Sequence, residues 1–74
     1  MARVTINNVT GINLPSDTRV LLEDDLVGFV SNFDQIGALT IGQRMTYVDN
    51  RRGLGQIGVT VTRRQGADYV VDIS

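Results

Sequence analysis

Between Arg44 and Ile73 the chain alternates in character, and that alternation restricts the fold more than any other feature. Met45 and Tyr47 share one phase; so do Ile57, Val59 and Val61, and then Tyr69, Val71 and Ile73. Thr46, Gly58, Thr60, Thr62 and Asp72 fall between them, small or polar, as strands with one buried and one wet face require. Two turn-rich breaks, Asp49 to Gly55 and Arg63 to Asp68, divide the stretch. The pattern predicts a three-stranded antiparallel meander.

Opposed residues on antiparallel strands share a face, which fixes an expected register. Val61 should oppose Val71, leaving Gln65-Gly66-Ala67 as a loop closed by Arg64 opposite Asp68. Tyr47 should oppose Ile57 and Met45 should oppose Val59, with Asn50 to Leu54 as the other loop. Odd loops containing glycine are ordinary hairpin connections.

The first half is less regular. Val4 and Ile6 form the inward face of an opening strand, and the phase slips at Asn7-Asn8, which predicts a bulge. Pro15 ends that segment. From Asp17 to Phe33 two readings compete. Leu22, Leu26, Phe29 and Phe33 recur at helical spacing, but Val20 and Val27 then point elsewhere, the charges scatter, and Gly28 sits mid-element. The strand reading makes Arg19 to Glu23 and Leu26 to Ser31 a hairpin turning at Asp24-Asp25, and the Val, Leu and Phe content favours it. A short strand is expected over 38–42, with Leu39 and Ile41 inward and Gly42 bending the chain into the meander. The expectation is therefore one domain over residues 1–74, all-β, a small barrel or compact sandwich of about six short antiparallel strands. The alternative is an α+β fold with one helix at 17–33.

Residue types exclude much chemistry. With neither cysteine nor histidine there is no disulfide, no thiol nucleophile and no imidazole base, so an enzyme is not expected. Seventy-four residues give a marginal core, and without staples the remaining support is a partner subunit. A net charge of −1 disfavours sequence-independent nucleic-acid binding, and no apolar run is long enough for a membrane span. The N-terminus has no secretory signal pattern, and a soluble chain, cytoplasmic or virion-associated, is expected.

Gly53-Leu-Gly-Gln-Ile-Gly58 matches GxGxxG, but it runs into a strand, whereas a dinucleotide site opens a helix there. A hairpin turn plus a glycine against which something packs explains it better. Glu23, Asp24 and Asp25 form an acidic cluster without calcium-loop spacing, so no metal is expected, and no cofactor motif is present. Arg51-Arg52 and Arg63-Arg64 flank the middle strand of the meander, roughly 25–35 Å apart, as two corners and not one groove. Residues 1–37 carry two arginines against five acids, and residues 38–74 carry five arginines against three. Glu23, Asp24 and Asp25 of one copy are then expected to meet Arg51, Arg52, Arg63 or Arg64 of another.

These constraints point to a non-enzymatic structural or assembly module, acting as a homo-oligomer or within a larger complex such as a virion shell or tail. The alternative is a small inhibitor that docks on one enzyme or defence protein. A nucleic-acid-binding barrel ranks third, because Tyr47 and Tyr69, the tyrosines that could stack bases, belong to the inward set.

Overall fold

The computed structural model describes residues 2–74. The chain runs β1 (Arg3–Val9), α1 (Ser16–Gln35), β2 (Arg44–Asp49), β3 (Gly55–Gln65) and β4 (Asp68–Ile73). The strands form one mixed sheet in the order β1-β4-β3-β2, and the helix covers one face. The meander is present, as the alternation predicts. It does not close into a barrel or sandwich, because β1 pairs in parallel with β4 and the sheet stays open at β1 and β2.

Residues 17–33 are helical, as in the alternative reading, and the expected hairpin does not form. Leu22, Leu26 and Val30, each fully buried, make a stripe at four-residue spacing that seals the sheet. Burying each contributes about 1.5–3 kcal/mol. Val20 and Leu21 stay more than half exposed and lie outside the stripe. Gly28 faces open space, so its conformational cost is not repaid by a close approach. Asp17 occupies the first turn, where the helix dipole favours an acid. At the other end Gly37 adopts φ +73°, and the amides of Gly37 and Ala38 donate to Asp34 and Phe33 carbonyls at 3.1 and 2.8 Å. That reversed pair of bonds is a Schellman turn, and it ends the helix cleanly.

Against the helix lie Val4, Ile6, Ile57, Val59, Val61, Tyr69, Val71 and Ile73, all buried. Tyr47 opposes Ile57, Met45 opposes Val59 and Val61 opposes Val71, as the shared-face rule requires. The register then shifts between Val61 and Arg63, so Arg64 opposes Tyr69, not Asp68, and Gln65 opposes Asp68. The tip is accordingly the two-residue Gly66-Ala67, with Gly66 at φ +58°. Thr62 is the extra residue, and its hydroxyl donates to the Val70 carbonyl at 3.2 Å. The predicted slip in β1 appears as a second irregularity between Ile6 and Asn8. The strand expected at 38–42 is absent: Leu39 is part-buried, Ile41 is half exposed, and this stretch is loop and turn. Gly42 does bend the chain into β2, at φ +87°.

Candidate functional site

The charged residues that stand out in the sequence mostly find partners inside the chain. Asp25, midway along α1, accepts from the Arg52 guanidinium at 2.7 Å, with Arg51 at 3.5 Å. Arg52 also donates to Asp49 at 2.9 Å. Asp49 is 2% exposed and accepts the backbone amides of Arg52 and Leu54 at 3.1 and 3.4 Å. One buried carboxylate thus shapes the loop from 50 to 54, and Arg52 ties that loop to the helix. The Arg52 hydrogen bond, with the arginine charges, holds the Asp25 carboxyl below its ordinary range against the opposing pull of desolvation. The reciprocal bond to Asp25 raises Arg52.

A second group joins the helix end to the β3–β4 hairpin. Asp34 accepts from the Tyr69 hydroxyl at 2.6 Å and from Arg64 at 3.0 Å. That hydrogen bond, and burial, push the Tyr69 hydroxyl above its usual value. Of the remaining candidates, Asp24 and Arg63 are exposed without an ion pair among the described residues, and Glu23 turns to β1. The structure therefore joins Asp25 to Arg51 and Arg52 within one copy. It leaves Arg63 and Arg64 at the far end of β3. Among the described residues no ligand-sized cavity opens, and no group of acids converges as metal ligands would. No described helix is long and apolar enough to cross a membrane.

The two sheet edges differ, and here the geometry goes beyond anything in the sequence pattern. In β1, Ile6 turns its N–H and C=O away from β4. The N–H donates to Glu23 at 2.7 Å, and Arg19 donates to the carbonyl. Arg19 and Glu23 are one helical turn apart, so α1 clamps the middle of that edge.

No such clamp covers β2. Gly58 and Ser74 exchange both backbone bonds, at 2.8 and 3.0 Å, so Gly58 and Thr60 face β4 while Ile57 and Val59 face β2. Their partners Tyr47 and Met45 face β3. Arg44, Thr46 and Val48 consequently point their N–H and C=O groups outward, and no described residue supplies them with a partner. Charged side chains commonly guard such edges. Arg44 is the charge at this one, and it lies across the sheet over Gly58, with Nε donating to the Ser74 hydroxyl at 3.2 Å. A Cβ at position 58 would overlap the guanidinium, so this glycine is what lets Arg44 fold inward. It is the close approach expected for the last glycine of the GxGxxG run; Gly53 and Gly55, at φ +72° and +68°, are turn residues.

The helix-side face of β2 is incompletely covered as well. Met45 and Tyr47 are part-buried, and Tyr47 meets Phe29 edge-on at 5.1 Å, with Phe33 edge-on to Phe29 at the same spacing behind it. Free backbone groups and an unfinished apolar shelf coincide along one strand. Comparison with protein-family models, curated proteins and solved structures finds no match for this chain.

Proposed function

We propose that this chain is a non-enzymatic assembly module that self-associates through the free edge of β2. One observation carries the reading: one sheet edge is clamped by Arg19 and Glu23, whereas the other presents unpaired backbone from Arg44 to Val48. Unguarded edges pair with further strands. The small core and absent cysteine add weight, since a partner subunit supplies burial that a domain of this size lacks. The open sheet face beside that edge, carrying Thr5, Thr46, Thr60 and Thr62, remains free for a larger assembly, such as a virion shell or tail.

Absolute mass by light scattering behind a sizing column, over a dilution series at two salt concentrations, tests this. A dimer or larger species is expected, with little salt dependence, because Arg51, Arg52 and Arg64 already have partners inside the chain. A monomer at every concentration refutes self-association, and a partner of different sequence would then have to be sought by pull-down.

A further inference from the structure

Resting on that reading, we infer that the occupant of the β2 edge is β2 of a second copy, antiparallel about a two-fold axis at Thr46. The two four-stranded sheets then run on as one.

The backbone allows few registers. Only Arg44, Thr46 and Val48 turn outward, so hydrogen-bonded pairs across the new junction must be drawn from these three. Centring on Thr46 sets Thr46 against its own copy and Arg44 against Val48 of the second chain, with about six backbone hydrogen bonds. Threonine pairs well with threonine across strands, and Val48, 50% exposed in one copy, gains the methylene stem of Arg44 as neighbour. On the helix side Met45 then opposes Tyr47 of the other chain, in both directions. The sulfur meets an aromatic ring, and each shelf completes the other.

The neighbouring registers are worse for physical reasons. Centring on Met45 brings the two Arg44 residues onto a diagonal roughly 7–8 Å apart, where like charges repel. Centring on Tyr47 sets Met45 against Asp49, an acid already committed to Arg52. Like charge also selects direction: in-register parallel order would align arginine with arginine, whereas antiparallel order about Thr46 places Arg44 opposite Val48. Finally, the clamp on Ile6 prevents β1 of one copy from taking β2 of the next. Head-to-tail growth is blocked, and the pairing closes at two copies.

The chain has no cysteine, so an introduced thiol can form only an intermolecular disulfide. Directly hydrogen-bonded antiparallel partners have Cα atoms about 5.5 Å apart, inside the range a disulfide spans. Thr46→Cys is expected to oxidise to a covalent dimer, while Thr5→Cys, exposed on the same sheet face but on β1, stays reduced under the same conditions. Arg44→Cys and Val48→Cys should cross-link when mixed far faster than either does alone. A dimer by light scattering whose Thr46→Cys form links no faster than Thr5→Cys overturns this register and leaves self-association standing. A wild-type monomer overturns both. Thr46→Pro supplies an independent arm, since its outward N–H serves no bond within the monomer. It should abolish the dimer with the circular dichroism spectrum retained, and Thr46→Lys, which opposes two like charges, should do the same. Dimers that survive both substitutions overturn the inference, as does protection of the β2 amides that requires a chain of other sequence.

Discussion

Asp49→Ala is the substitution whose cost the structure defines best. The Asp49 side chain is 1% exposed and sits at the end of β2 with three donors converging on it. Removing it deletes one charge-assisted bond at 2.9 Å, worth about 1.5–3 kcal/mol. It also strips the amides of Arg52 and Leu54, which lie in a turn where water can partly replace the carboxylate, at about 0.5–1 kcal/mol each. The expected loss is about 3 kcal/mol. A domain of this length has roughly 4–11 kcal/mol in all, so the variant stays folded but markedly weakened. Urea denaturation followed by circular dichroism reads this directly. At a slope of about 1 kcal/mol per molar the midpoint should fall by about 3 M, with the slope unchanged. Asp24→Ala, one residue from Asp25 but exposed and unpaired, should leave the unfolding free energy within about 0.5 kcal/mol of wild type. A loss below about 1 kcal/mol at Asp49 would refute the claim that this carboxylate organises the loop.

Two further perturbations test the links between helix and sheet. Tyr69 has a folded pKa raised above the unfolded value near 10, chiefly by its bond to Asp34, so the native state holds the phenolic proton more tightly. Its contribution is complete below pH ~10 and is lost as pH rises through the folded value; Tyr69→Phe should cost about 1.5 kcal/mol at neutral pH and flatten that alkaline decline, both read from urea midpoints against pH. At the other end of the helix, Glu23→Ala should speed amide exchange at Ile6 by about 10-fold or more while leaving Val71 unchanged, as measured by hydrogen exchange. An unchanged Ile6 rate would mean the β1 edge is not clamped by this carboxylate.

The meander was legible because its two faces differ in chemistry at every second residue. Ile57, Val59 and Val61 on β3 and Tyr69, Val71 and Ile73 on β4 leave one consistent register around the Val61–Val71 pair. That certainty ends where the apolar pattern ends. Beyond Thr62 the last residues of β3 are Arg63, Arg64 and Gln65, all exposed, and no buried face distinguishes a bulged from an unbulged pairing. Residues 38–42 misled for the opposite reason: Leu39 and Ile41 alternate like a strand, yet Ile41 faces solvent. The open edge was not legible at all. It depends on β4 inserting between β1 and β3, and no short-range pattern encodes the parallel pairing of the first and last strands.

The helix at 17–33 ranked second to a hairpin in the sequence for a reason that bears on the proposed assembly. Its buried stripe is narrow, three residues at four-residue spacing, and the charges around it read as noise against an amphipathic pattern. Four of those charges have a destination in the sheet: Arg19 and Glu23 reach β1, Asp25 reaches the loop after β2, and Asp34 reaches the β3–β4 hairpin. The flank away from Arg19 and Glu23 carries Asp25, which is taken by Arg52, and then Phe29 and Phe33, which reach β2 through Tyr47. A carboxylate and a guanidinium can satisfy an edge amide and carbonyl, and phenyl rings cannot. The two flanks of one helix therefore decide which edge of the sheet is closed and which is left to pair. A sequence with acid and base on both flanks would seal the sheet; this one seals half of it.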